Sequence, residues 1–364
     1  MTFIAVVSKS LIAREMATQE DIADAILVAQ VLPGPVAIDM TVAIGYRLRG
    51  VAGAAVCWLG SVVPSFIVVT SLSLLYLRYG ALPAVNRIFL GFPSAMVAIV
   101  LIAALDLGKK QIRSPAQVAI ALAACLAIVF VNTWWVTFLI VGCAGLAGWL
   151  LYRTPPTNVP PEAKPQAGPR TLGLAPLLAL APVTGAGLLS KIFLTFAVMS
   201  VSLFGSGYVF IPIIKNTLVN GLHWLTPREF TAGLALTQIT PGPILMTAAF
   251  VGVKIAGLPG ALVGMLGMFV PPALLALLAA HSLQAIKKSS AVTAALKGVR
   301  PAVVGMLVAA AVVVGQTMPH DTPWHLAAAL AILAAALVAL FRFKAEVALM
   351  IPLAGIAGFF LFAR

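Results

Sequence analysis

The chain has 364 residues, 62% of them hydrophobic and 9% charged, with a mean hydropathy of +1.08. Soluble domains average about 25% charged residues, and 23 Lys and Arg with 10 Asp and Glu cannot cover a water-soluble fold of this size. A soluble globular enzyme is excluded, and the net charge of +13 belongs to loops between membrane spans, not to a nucleic-acid surface.

Residues 1–7 are too short, and lack the preceding basic residues, to read as a cleavable leader. Apolar stretches then follow at residues 21–46, 51–77, 88–106, 116–131 and 134–152. Residues 153–170 read RTPPTNVPPEAKPQAGPR, a polar, Pro-rich linker that is extended and solvated. Beyond it the apolar stretches resume at 172–189, 191–213, 229–253, 258–283, 297–316, 324–341 and 345–363. A crossing helix needs about 20 residues, so most of these stretches can span. Isolated strands cannot satisfy their backbone in lipid, so the packing is expected to be all-helical. The expectation is an all-α integral membrane protein with a membrane repeat at 1–152, a cytoplasmic linker at 153–171 and a second repeat at 172–364. Cys57, Cys125 and Cys143 lie in apolar runs without a CxxC pair, so they read as small core residues. His223, His281, His320 and His325 show no metal spacing, and no cofactor is expected.

The halves repeat each other. Gln30-Val31-Leu32-Pro33-Gly34-Pro35 matches Gln238-Ile239-Thr240-Pro241-Gly242-Pro243, and the same shift pairs Thr18 with Thr226 and Asp21 with Glu229. One residue of slip later, Gly45 pairs with Gly252, Arg47 with Lys254, Gly50 with Gly257, Gly53 with Gly260, Pro64 with Pro271 and Gly91 with Gly298. A run of Gly, Pro and cation matches with a single slip indicates duplication. Loop charges point to inverted copies. The hairpin of 116–131 and 134–152 has an uncharged tip, Asn132-Thr133, with Lys109, Lys110, Arg113 and Arg153 at its open end. The matching hairpin carries Arg342 and Lys344 at its tip, with His320 and Asp321 at its open end. If Lys and Arg stay cytoplasmic, the hairpins face opposite ways and Arg47, Arg49, Lys287 and Lys288 are cytoplasmic; Arg78 and Arg87 run against this scheme.

The chemistry centres on Pro-Gly-Pro, found twice inside apolar segments. Proline removes an amide donor and clashes with the preceding turn, so each motif breaks its helix near the bilayer midplane. Pro35 and Pro243 suit the first position of a following half-helix. The amides of Val36, Ala37 and Ile38, and of Ile244, Leu245 and Met246, would then point into the break, where a helix N-terminus favours an anion. Matched broken helices in inverted halves mark a transporter's substrate site, the alternative being a packing kink with no ligand. Gln30, Gln238 and Thr240 beside the breaks either donate to an oxyanion or bond the interrupted backbone. Gly205, Ser206 and Gly207 form a second break, read as an anion nest or as close helix packing. Asp39 is an isolated carboxylate in an apolar segment, and the candidate carrier of a coupling proton unless it pairs with Arg47 or sits near an interface. Arg47, Lys254 and Arg300 are cations suited to a dianion, Arg300 above all because Pro93 holds the matching place; Arg47 and Lys254 also suit snorkelling to headgroups. Asp39 and Asp106, the aspartates in apolar runs, lie in no intramembrane-protease motif, so the chain is not read as an enzyme.

The paired Pro-Gly-Pro motifs, the stretch Phe204-Gly-Ser-Gly-Tyr-Val-Phe-Ile-Pro212 and the run Trp224-Leu-Thr-Pro-Arg-Glu-Phe230 together resemble the chromate transporter family in its long two-domain form, over nearly the whole chain. The resemblance implies a secondary transporter of the cytoplasmic membrane. Such a transporter exports chromate, with sulfate as structural analogue, and is coupled to the proton gradient. Carried over by position, the family's motif falls on Pro33, Gly34, Pro35, Pro241, Gly242, Pro243, Gly205 and Gly207. The partners expected are the oxyanion and the lipid bilayer, with a homodimer admitted and nucleic acid not. First halves in the family carry a further helix with a Phe-Gly-Gly type motif, whereas here Met1 aligns just past Tyr208.

Overall fold

The computed structural model describes residues 2–14, 16–131, 135–152, 187–203, 207–240, 242–281 and 290–363. The Pro-rich linker, most of stretch 172–189, the tip Asn132-Thr133 and Lys287 and Lys288 lie outside them.

The described residues are helical. The first half contains α1 (Thr2–Ala13), α2 (Gln19–Val31), α3 (Val36–Tyr79), α4 (Pro83–Gln111), α5 (Pro115–Phe130) and α6 (Val136–Tyr152). The second contains α7 (Leu188–Val201), a 3₁₀ turn Gly207–Val209, α8 (Phe210–Ile214), a π-helical stretch Lys215–Gly221, α9 (Pro227–Ile239), a 3₁₀ turn Ile244–Met246, α10 (Thr247–His281), α11 (Ser290–Gly315), α12 (Pro323–Arg342) and α13 (Val347–Leu361). Among the described residues, five helical stretches are long and apolar enough to cross a bilayer: Val36–Tyr79, Pro83–Gln111, Ile244–Ala279, Ala291–Gly315 and Pro323–Arg342. Val56, Leu122, Phe130, Leu278 and Phe360 stand exposed on outer faces, which suits contact with lipid tails. The protein is an all-α, multi-pass membrane protein. Asp106, which the sequence places in an apolar run, is exposed on α4, because that face of the helix points outward.

The internal match recurs in three dimensions. Thr18 and Asp21 bond each other reciprocally at the start of α2, and Thr226 and Glu229 form a capping box at the start of α9. Arg49–Gly50 and Ala256–Gly257 kink α3 and α10 with nearly equal dihedrals: Gly50 has φ 59° and ψ −147°, Gly257 φ 62° and ψ −150°. These positive φ values cost a residue with a Cβ about 1–3 kcal/mol. At each kink the chain folds back on itself. Gly45 touches Gly53, and Gly252 touches Gly260, so closely that a Cβ would strike the facing carbonyl. In a straight helix residues eight apart lie about 12 Å from each other.

The terminal hairpins pack on the opposite half. Gly298 of α11 lies against Ala144 and Gly148 of α6, and Gly305 against Ala121 of α5. Gly91 of α4 lies against Ala354 and Gly358 of α13. Helices α4 and α11 run antiparallel, Gly108 beside Val304 and Gly315 beside Val97. The α12–α13 turn lies near the end of α4, where the Lys109 ammonium sits 5.5 Å from the Phe341 ring. With Gly298 against Ala144 and Gly148, and Gly305 against Ala121, the end of α5 and the start of α6 lie toward the end of α11. These hairpins therefore point in opposite directions. Backbones this close depend on residues without side chains. Gly298→Val is expected to destabilise the fold by about 1–3 kcal/mol through overpacking, lowering the thermal midpoint in detergent. Gly142→Val, at a site where a Cβ meets nothing within 4 Å, is expected to leave it unchanged.

Candidate functional site

Both Pro-Gly-Pro motifs break their helices, but the break reverses the chain. Asp21, in the first turn of α2, meets Arg47, near the end of the first arm of α3, at 2.9 Å. On a straight interrupted helix these residues would be about 39 Å apart. The second motif does the same. Glu229 pairs with Lys254, Gly233 lies against the Phe250 ring, and Thr237 Oγ1 is 3.4 Å from Thr247 Oγ1. Each motif is thus the apex of an antiparallel helical hairpin, Gly34 capping one and Gly242 the other. Proline prevents the preceding helix from continuing, and glycine supplies the dihedral for the turn, φ 142° at Gly34.

Each apex rests on the other half. A Cβ on Gly34 would meet Pro272 Cβ at 2.6 Å, on α10; one on Gly242 would meet Ser65 Cβ at 2.7 Å, on α3. Ser65 and Pro272 are equivalent positions, each next to the matched Pro64 and Pro271. The segment after α7 ties the apices together. Gly34 N–H donates to Leu203 O at 2.7 Å, Gly207 closes on Ile244 Cγ2, and Tyr208 O–H donates to Gln238 Oε1 at 3.4 Å. Pro33, Gly34, Pro35, Val36, Gly207, Gln238, Thr240, Gly242, Pro243 and Ile244 therefore gather in one region. Gly205, Ser206, Pro241 and the Gln30 side chain lie outside the described residues.

The polar groups there divide into satisfied and unsatisfied. The Ile38 and Met246 amides, expected to be free, donate to the Pro35 and Pro243 carbonyls, because both half-helices open with a tight turn. Val36, Ala37 and Ile244 amides donate to no backbone carbonyl of the described residues. Thr240 Oγ1 donates to Thr237 O, so its proton is bound to backbone instead of being offered to a ligand. Gln238 Nε2 is buried without a partner, a donor left open at the second apex. Asp39 is 0% exposed, and neither carboxylate oxygen has a partner; Oδ2 lies 2.5 Å from where a Gly34 Cβ would stand. An intramembrane carboxyl without a partner marks an ion or proton pathway by default.

The cations fall differently from expectation. Arg47 bonds Asp21 and Asp24, at 2.9 and 3.4 Å, and so does not partner Asp39. Lys254 holds Glu229. Both close the base of a hairpin at its water-facing end, where partly exposed charges gain from pairing, so neither waits free for a dianion. Arg300 lies on α11, and no hydrogen bond or ion pair among the described residues joins it to either apex. Lys254→Glu places two carboxylates at the base of the second hairpin and is expected to lower the thermal midpoint in detergent. Adding Glu229→Lys restores opposite charges and is expected to restore the midpoint, read by thermal unfolding of the single and double variants.

The family model described as "Chromate transporter" matches residues 1–149 and 190–359. The chain is 29% identical over 337 residues to the "Chromate transport protein" of Cupriavidus metallidurans, covering 92% of this chain and 82% of that protein. It is 30% identical over 320 residues to the "Probable chromate transport protein" of Synechococcus elongatus, covering 88% and 81%. Against the "Chromate transport protein" of Pseudomonas aeruginosa it is 31% identical over 340 residues, covering 92% and 81%. No solved structure matches the chain.

Proposed function

We propose, for a chain that belongs to the chromate transporter family, a secondary transporter that carries chromate out across the cytoplasmic membrane, coupled to the proton gradient. The observation that carries the reading is the pair of apices, Gly34 and Gly242, each seated on the long helix of the other half. A tetrahedral dianion leaving water loses a large hydration energy. Oriented donors replace it here: the Val36, Ala37 and Ile244 amides at half-helix starts and the unpartnered Gln238 Nε2. Asp39, behind the first apex, takes up and releases the coupling proton. The halves are inverted copies in the membrane, and rocking one against the other opens the apices to each side in turn. Apices that rest across the boundary between halves would feel any such motion directly.

Sulfate shares the charge and shape that these donors read, so it competes for the same place. Labelled chromate uptake into inside-out vesicles tests the reading. A gradient acid inside is expected to drive accumulation, a protonophore to abolish it and sulfate to reduce it. Uptake indifferent to the gradient and to sulfate would refute both coupling and site.

A further inference from the structure

We infer that Lys215, with Gln316, forms an outer station for the transported dianion on its way to the apices; this rests on the apex reading above. Lys215 opens the π-helical stretch Lys215–Gly221, on the segment that leaves the second apex at Gly207. Its separation from Gly207 is about 12 Å of helical rise. Single π-helical turns inside helices occur often at functional sites.

The surroundings of the ammonium suit a passing anion. Nζ donates to Gln316 Oε1 at 2.7 Å, a neutral acceptor, and no carboxylate pairs with it among the described residues. Arg47 and Lys254 are each paired with acids at a hairpin base, whereas no acid among the described residues pairs with Lys215, which has N–H donors beyond the one given to Gln316. Thr217, in the same stretch, has a buried hydroxyl without a partner.

The pair lies at the end of a span: Gln316 directly follows the apolar stretch Ala291–Gly315, and Lys215 meets it there. Gln316 is exposed and Lys215 half-buried, so the ammonium is open to solvent on one side. One positive charge against a dianion attracts without trapping, as conduction through successive sites requires.

The test is the initial rate of chromate uptake into vesicles, at low and high ionic strength, for Lys215→Gln, Lys215→Arg and Gln316→Glu. Lys215→Gln is expected to raise KM about tenfold, the scale of one charge-assisted hydrogen bond, with Vmax near wild type and a flatter salt dependence. Lys215→Arg keeps the charge and is expected to keep KM within about twofold. Gln316→Glu retains the lysine but hands it a carboxylate, and is expected to reproduce the KM rise. An unchanged KM in both Lys215→Gln and Gln316→Glu overturns the station, as does a loss confined to Vmax. Failure of the apex reading shows separately, as full transport by a Gly34 variant.

Discussion

Gly34→Leu abolishes chromate transport while the protein still inserts and runs as a monodisperse species in detergent: this is the largest effect expected. Two independent costs fall on one residue. The backbone stands at φ 142°, where a side chain is strained by about 1–3 kcal/mol. The first carbon of the side chain would also lie 2.5 Å from Asp39 Oδ2 and 2.6 Å from Pro272 Cβ. Pro272 is a ring on another helix and cannot swing aside, so the apex must lift off its seat, which draws Gly34 N–H away from Leu203 O. Gly34→Ala carries both costs with less bulk and is expected to lose at least about tenfold in rate, if about 1.4 kcal/mol falls on the active conformation. Gly60→Leu, where a Cβ has nothing within 4 Å, serves as control and is expected to transport normally. Uptake is measured against the amount of protein reconstituted, which separates lost function from lost insertion.

The second large effect is expected at Asp39. Asn fills the same volume without the ability to exchange a proton. Asp39→Asn is expected to retain exchange of labelled against unlabelled chromate while losing accumulation driven by a pH gradient. With one proton per turnover, a gradient of one pH unit is worth about 1.4 kcal/mol, or tenfold in accumulation. The variant is expected to fall to the level set by the remaining gradients. Exchange and accumulation lost together would make Asp39 a packing residue, and accumulation unchanged would move the proton elsewhere.

Much of this was legible in the residues. Gly and Pro recur at one spacing because both copies need the same kinks and the same close contacts, and those needs fall on residue types that few others satisfy. The reversal at each apex was not legible from hydropathy, since a helix broken in line and a helix turned back present the same apolar run. A signal was nevertheless there. Thr18 with Asp21 and Thr226 with Glu229 are helix-start patterns, and each is followed, near the far end of the run, by a cation, Arg47 or Lys254. Opposite charges at both ends of a stretch too short for two crossings are what a re-entrant hairpin leaves behind. The seats Ser65 and Pro272 were invisible because a small side chain in a long apolar helix carries no mark of what rests on it. Gln238 could be named but not assigned, because its position before the break suits backbone repair and ligand binding equally. Its fold-back partner Tyr208 takes the oxygen and leaves the nitrogen open.

The most direct measurement is the position of a bound anion. Crystals of the protein soaked in selenate, a tetrahedral dianion with a selenium absorption edge, locate it by anomalous scattering. A peak is expected between the two apices, within hydrogen-bonding reach of Gln238 Nε2 and the Val36 or Ile244 amide. A selenate peak elsewhere in the bundle, with the apices closed on one another and dry, would contradict it.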